Sequence, residues 1–390
     1  MVLHGLRQVN SGQIDSISIN HGKIDRVSPD ITIDDVNTLQ LHFNDALVFP
    51  GLINSHDHLD FNLFPQLGKR VYKNYTQWGA YIHQQFKSEI NDVLQVPPEL
   101  RIRWGIYKNL LCGVTTVVNH GERLTIDNAL ITVYEDTHDL HSTAFEKTWK
   151  LKLNNPLKRK LPVVIHTGEG TDEEATHEID RLISWNTLHR NLIGIHAVAM
   201  TNKQASHFKA IVWCPQSNYF LLNKTAAIHQ LKHSTSIIFG TDSTLTSNWN
   251  IWDHITMARK TTLLTDEELY NSLNIEPSKI WDINTGQLSP EKDADIVIAR
   301  RRAEINIFDD FYGVSPANIL LIVHQGNIRL FEQELLPVLA PHLQGKHFSL
   351  IKINGTFKYV EGNLEELIGE IKSYLPEFIF PMEVISHQII

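Results

Sequence analysis

Between about residues 160 and 265, short apolar runs alternate with stretches whose apolar positions recur at helical spacing. Pro162–Thr167 reads as a buried strand, and Glu173–Leu188 then carries Ile179, Leu182 and Ile183 on one helical face. Leu192–His196, Ala210–Cys214 and Ile237–Asp242 are three further apolar runs. The helical stretches after them open near Thr201-Asn202, cover Ala226–Lys232, and run through Ile255, Met257 and Ala258. Uninterrupted apolar strands interleaved with helices predict a parallel sheet covered by helices. Upstream, Val114–Asn119 fits the same pattern, and Leu130–Tyr134 and Leu140–Phe145 fit it less regularly. The expected fold class is α/β, a (β/α)8 TIM-like barrel over residues 49–285. Only about 40 residues lie between the Val114 and Pro162 strands, less than three βα units normally occupy. The barrel is therefore expected to be trimmed around its third and fourth strands, with at least one covering helix short or missing.

The two ends read differently. Residues 1–48 hold short alternating strands with a turn at His21-Gly22. Residues 286–390 return to strand character through Ala294–Ile298, with hairpins at Gly326-Asn327 and Asn354-Gly355. A helix capped by Asn363 and carrying Leu364, Leu367 and Ile371 follows. These patterns predict a small β-sandwich domain built from both termini, with the stretch after about residue 335 as an addition to it.

Composition narrows the class. The net charge of −9 argues against a nucleic-acid or anionic-membrane partner. No apolar run reaches the length of a membrane span, and Met1–Arg7 does not read as a signal peptide. Cys112 and Cys214 give no disulfide framework and fit core packing in a reducing compartment. The expectation is a soluble cytoplasmic protein acting on a small molecule, with self-association left open.

The candidate chemistry lies at the strand ends. Phe49-Pro50-Gly51-Leu52-Ile53-Asn54-Ser55-His56-Asp57-His58 reads as a strand delivering two histidines to one face, because side chains two apart on a strand point the same way. With 21 His in 390 residues, chance alone supplies about one such spacing. His166, His196 and Asp242, however, each end a later predicted strand, where a βα barrel places its chemistry. His56, His58, His166 and Asp242 together offer three imidazoles and a carboxylate to one divalent metal ion, which lowers the pKa of a bound water. Asp242 is placed to hold that water and accept its proton, and His196 to bond the attacking oxygen or polarise the carbon under attack. In His166-Thr167-Gly168-Glu169, Gly168 permits a sharp turn that brings the Glu169 carboxyl back over the site as a proton shuttle.

Taken singly, each residue has a plainer explanation. A strand-end His is often a hydrogen-bonded packing group, Asp242 could cap the following helix, and Glu169 could be a solvated acid. Jointly these explanations leave unexplained why every candidate falls at a strand end. His120, just after the second strand, either touches substrate or only lines the mouth. Tyr72, Tyr75, Trp78, Tyr81 and Phe86 form a lid or a helical core, with Trp78 the substrate-contact candidate.

These motifs resemble the amidohydrolase superfamily, in the branch of cytosine and guanine deaminases and triazine hydrolases. The similar features are Phe49–His58, Gly113-Val114-Thr115-Thr116-Val117-Val118, His166–Glu169 and His196, followed by Cys214-Pro215-Gln216-Ser217-Asn218 and Gly240-Thr241-Asp242-Ser243. The similarity runs from about residue 45 to 300, ending in Gly286–Asp295. It implies one Zn or Fe(II) on His56, His58, His166 and Asp242, with Glu169, His196 and Asp242 catalytic. The implied activity is metal-dependent hydrolysis of carbon–nitrogen bonds other than peptide bonds, most directly deamination of a small N-heterocycle. Hydrolysis of a cyclic amide or removal of another leaving group is the alternative, and a non-catalytic binding barrel is a third.

Overall fold

The computed structural model describes residues 1–390 except 33–36, 122, 125, 127, 128 and 303–305. Four strands open the chain: β1 (Val2–Gln8), β2 (Ile14–Asn20), β3 (Lys23–Ser28) and β4 (Gln40–Pro50). Eight follow in the middle: β5 (Leu52–Asp57), β6 (Val114–Asn119), β7 (Thr132–Tyr134), β8 (His138–Ser142), β9 (Val163–Thr167), β10 (Leu192–His196), β11 (Ala210–Trp213) and β12 (Ser236–Phe239). Six close the chain: β13 (Ile296–Ala299), β14 (Ile319–His324), β15 (Asn327–Glu332), β16 (His347–Ile353), β17 (Thr356–Glu361) and β18 (Glu383–Ile389).

The middle strands are those of a βα barrel. β8 to β12 form a five-stranded sheet in chain order, with every adjacent pair parallel. β5, β6 and β7 form a second sheet, also in chain order. β9 (Val163-Val164-Ile165-His166-Thr167) and β10 are buried at every position, because both faces of a barrel strand are covered. At the strand ends, the Thr241 and Asp242 N–H groups donate to the His56 carbonyl at 3.1 Å each, tying the chain beyond β12 to β5. The expected trimming falls between β6 and β8. Among the described residues no helix separates β6 from β7, and three residues alone join β7 to β8.

Several boundaries differ from the hydrophobic pattern for local reasons. The Ala210–Cys214 run leaves the ladder at Trp213, since Cys214 precedes a helix that starts with Pro215. The Ile237–Asp242 run ends at Phe239, and Asp242 adopts a left-handed backbone with φ +60°. Glu173–Leu188 shortens to a helix over Glu173–Trp185, and Ala226–Lys232 to Ile228–Leu231. The cap at Asp172 and the capping box at Thr201/Gln204 set the starts of two of these helices.

By contact density the chain separates into two units: Met1–Leu52 with Ile106–Thr115 and Asp282–Ile390, and Ile53–Gly105 with Thr116–Trp281. The first unit holds a ten-stranded sheet in the order β18-β16-β17-β15-β14-β13-β4-β1-β2-β3. Within it β4 lies parallel to β1 and antiparallel to β13, so residues from both ends of the chain share one ladder. Leu3, Leu6, Val48, Ile296, Leu321, Phe331 and Phe348 belong to its buried core. The stretch after residue 335 is continuous with this sheet, adding β16, β17 and β18. Ile106–Thr115 joins this unit through the Tyr107 hydroxyl, which donates to the Glu361 carbonyl at 3.0 Å, and through Gly113, whose carbonyl accepts from Leu52 N–H. Cys112 and Cys214 are both free and buried.

Candidate active site

β5 brings His56 and His58 to one point, where their Nε2 atoms lie 3.9 and 3.8 Å from Asp242 Oδ1. The ligand atoms of His56, His58 and His166 lie within 4.8 Å of one another, as do those of His56, His196 and Asp242. His56 is fully buried, and neither of its ring nitrogens has a hydrogen-bond partner. Such an imidazole costs about 1–3 kcal/mol unless something takes its lone pair, and a divalent cation suits this donor set. His166 Nδ1 donates to the His141 carbonyl at 2.8 Å, which leaves the lone pair on Nε2 free for a metal. Burial holds the His56 and His166 imidazoles well below their ordinary pKa, and the neighbouring imidazoles add to the effect. Both rings are thus neutral, the form that binds metal.

Asp242 is fixed from several sides. Asn54 Nδ2 donates to Thr241 Oγ1 at 2.8 Å and Asn54 Oδ1 accepts from Thr241 N–H at 3.1 Å, so one amide on β5 holds the turn that carries Asp242. Asp242 Oδ2 accepts from the Ser217 and Thr246 hydroxyls at 2.8 and 2.9 Å, and Oδ1 accepts from Ser243 N–H at 2.8 Å. Burial alone would raise its pKa. His196, His58 and these donors outweigh that and hold the carboxyl below its ordinary range.

Glu169 shows the opposite behaviour. Burial, then the charges of Asp242 and Glu178, push its pKa well above the ordinary carboxyl value. Its Oε1 lies 3.5 Å from His196 Nε2, while Asp242 Oδ2 lies 3.9 Å from the same nitrogen. One carboxyl held above its ordinary range and one held below it therefore flank a single imidazole, the separation that acid–base chemistry uses. His196 Nδ1 faces Asn218 Oδ1 at 2.8 Å, and Asn218 Nδ2 donates to Thr225 Oγ1 at 3.2 Å. The Asn218 oxygen must then accept, so His196 carries its proton on Nδ1 and presents Nε2 to the two carboxyls. The turn into Glu169 requires glycine: Gly168 has φ +62°, and a Cβ there would lie 2.7 Å from Ile179 Cδ1.

The segment after β5 covers this group. It holds two helices, α1 (Tyr75–Gln85) and α2 (Lys87–Gln95). A cavity of about 540 Å³ lies over the site, lined by His58, His166, Glu169, His196 and Asp242 together with Phe61, Tyr75, Trp78, Ile82 and Leu94 from this segment. The start of α1 is joined to the Glu169 turn: Tyr75 N–H donates to the Glu169 carbonyl at 3.1 Å and Thr171 N–H to the Lys73 carbonyl at 2.7 Å. Asn74 Nδ2 also donates to Asp172 Oδ2 at 2.6 Å.

The remaining candidates are placed as follows. Trp78 lines the cavity and donates its indole N–H to the Leu67 carbonyl at 2.7 Å. His120 is buried behind the ligand histidines, with its ring 4.6 Å from that of His166 and its Nδ1 3.8 Å from Asp139 Oδ1. It does not reach the cavity lining. Three contributors were given no role of their own by the sequence reading, though Asn218 lies in one of its motifs. His141 orients His166 and lines the cavity, Asn218 fixes the His196 tautomer, and Glu178 supports the Glu169 turn. Glu178 is buried and accepts from Gly168 N–H at 2.6 Å, the Thr143 hydroxyl at 3.1 Å and the Tyr75 hydroxyl at 3.2 Å.

Burial raises the Glu178 pKa from 4.5 to about 6, against the lowering effect of these three donors. A raised folded-state pKa contributes stability that is complete below pH 4.5 and is lost as pH rises through about 6. Over that window wild-type protein should lose about 2 kcal/mol relative to Glu178→Gln. Urea denaturation of both proteins at pH 4.5 and 7.5 measures the difference, and a pH-independent gap would exclude it.

Residues 148–329 match the Amidohydrolase family. No curated protein matches the chain in sequence. Among solved structures, an adenosine deaminase from Xanthomonas campestris with bound zinc is similar over 97% of this chain and 98% of its own, with TM-score 0.73 and 14% identity. Atrazine chlorohydrolase from Arthrobacter aurescens TC1 complexed with zinc is similar over 96% of this chain and 100% of its own, with TM-score 0.72 and 15% identity. The Helicobacter pylori aminofutalosine deaminase in complex with methylthio-coformycin is similar over 84% and 99%, with TM-score 0.60 and 12% identity. At these identities the likeness is one of fold.

Proposed function

We infer, from the amidohydrolase-family domain this chain carries, that the protein is a metal-dependent hydrolase of carbon–nitrogen bonds other than peptide bonds. Its reaction on this reading is deamination of a small N-heterocycle. The observation that carries it is the pair of buried carboxyls, Glu169 and Asp242, facing His196 Nε2 beside the His56, His58 and His166 cluster. One divalent ion, Zn or Fe(II), would be held by His56, His58, His166 and Asp242, and when bound it supplies an acidified water. The zinc in the adenosine deaminase and chlorohydrolase structures supports zinc first.

Each side chain then has a task. Asp242, kept ionised by the Ser217, Thr246 and Ser243 donors, accepts the proton of the attacking water. Glu169 protonates the ring nitrogen, is recharged by the proton Asp242 took from the water and passes it to the departing amine, and regains its own proton from the carbon-bound hydroxyl as the carbonyl forms, because it is tethered at the Gly168 turn and need not coordinate. His196, locked by Asn218, bonds the attacking oxygen through Nε2. The chlorohydrolase likeness is as close as the deaminase one and supports, as a second reading, displacement of a leaving group other than an amine.

No helix among the described residues is long and apolar enough to cross a membrane. The net charge of −9 and the two free cysteines support a cytoplasmic enzyme that acts on a small molecule and binds no nucleic acid. The test is a metal analysis of purified protein followed by an ammonia-release screen over purines, pyrimidines, pterins and triazines. The expected result is metal-dependent ammonia release from at least one ring class. Fully loaded protein that releases neither ammonia nor another displaced group across the panel would overturn the reading.

A further inference from the structure

The cavity over the site is two-faced. At about 540 Å³ it has room for much more than a single heterocyclic ring. The groups able to do chemistry gather within a few ångströms of one another around His196 and Asp242. Away from them the wall is apolar, made by Trp78, Ile82, Ile90, Leu94, Phe145 and Leu245.

Three of the polar groups on that wall are already committed inside the protein, and His83 is exposed. The Trp78 indole N–H donates to the Leu67 carbonyl, the Tyr75 hydroxyl to Glu178, and the Thr76 hydroxyl to Asn74. A wall of this kind presents ring faces and methyl groups to a ligand and few free donors. Among the described residues no lysine or arginine lines the cavity, so the apolar wall offers no cationic side chain to a phosphate or carboxylate. At its outer edge Leu94 and Phe145 are 48% and 51% exposed. Large apolar side chains left half in water beside a cavity gain by being covered by an apolar ligand.

Resting on the hydrolase reading, we propose that the substrate is a neutral N-heterocycle bearing an apolar substituent of several carbons. The ring meets His196, Glu169 and Asp242, and the substituent lies along Trp78, Ile82 and Ile90 towards Leu94 and Phe145. A phosphate or carboxylate on that substituent would lie against this wall without a cationic partner and weaken binding.

The test is equilibrium binding, by titration calorimetry on metal-loaded protein, of 2-aminopyrimidines alkylated at ring carbon C5 with chains from methyl to octyl. A carboxylate-ended chain of matching length serves as the anionic counterpart. Affinity should rise about threefold per added methylene until the chain fills the wall, in line with the transfer of methylene groups out of water. The carboxylate-ended compound should bind at least about tenfold more weakly than its neutral partner. Because Leu94 and Phe145 are half-exposed, a Leu94→Ser/Phe145→Ser protein should fold and keep its metal, and its chain-length dependence should flatten. A flat series in wild type, tighter binding of the carboxylate compound, or no binding by any member would overturn the proposal. Since binding is read without turnover, a rising series with no ammonia release anywhere would leave the apolar wall standing and remove the deaminase reading instead.

Discussion

Replacing Glu169 with Gln should leave metal content and folding close to normal and lower turnover by at least about 100-fold. The substitution keeps size and hydrogen-bonding capacity but removes the proton that the buried carboxyl holds. Deamination of an amidine-like ring needs one proton taken from the attacking water and others delivered to the ring nitrogen and the leaving amine. Asp242 is bound by three donors and cannot travel between those positions. Glu169 sits beside His196 on a turn of its own, with a pKa pushed up by burial, so it is the group able to carry the proton. Turnover and metal stoichiometry measured on the same preparation decide the matter. Undiminished turnover would end the shuttle role, and lost metal would make Glu169 a ligand.

The second large effect concerns the histidine pair on β5. A His56→Ala/His58→Ala protein should bind no stoichiometric divalent metal, whereas wild type should hold about one ion per chain. The buried His56 nitrogens have no partner within the protein, so little besides a cation accounts for their placement. Ligand that binds only the native state adds to stability, so a chelator should lower the melting temperature of wild type. The double variant should melt at the same temperature with or without chelator. Stoichiometric metal in that variant, or two ions in wild type, would refute the assigned ligand set.

The parts of this site that were legible in the sequence are those set by short-range rules. β9 and β10 are uninterrupted apolar runs, and His56 and His58 share a face because a strand repeats every two residues. Glu169 could be placed because a glycine precedes it. What the pattern hides is set by contacts between distant segments. β8, His138-Asp139-Leu140-His141-Ser142, is largely polar, and β9 alongside it is what makes it a strand. Its residue His141 therefore carried no signal as the partner of His166. Asn54 is held to Thr241 across 187 positions and Asn218 to His196 across 22, spacings with no periodic signature. Glu178 looked like one acid among several on an exposed helix, and its burial follows from Tyr75 and Thr143 arriving from elsewhere. The aromatic run left Trp78 between a lid and a helical core, because its orientation depends on the Leu67 carbonyl.

The hydrogen bonds joining α1 to the Glu169 turn bear on the timing of the reaction. Any motion that swings the start of α1 outward must break the Tyr75–Glu169 and Thr171–Lys73 bonds or pull the turn along with it. In the second case the carboxyl leaves its place beside His196 while the mouth is open. A molecule is then admitted, or its product let go, with the proton carrier out of position. The groups become competent together once the helix has settled and the water outside is shut off, so half-bound molecules pass through unchanged.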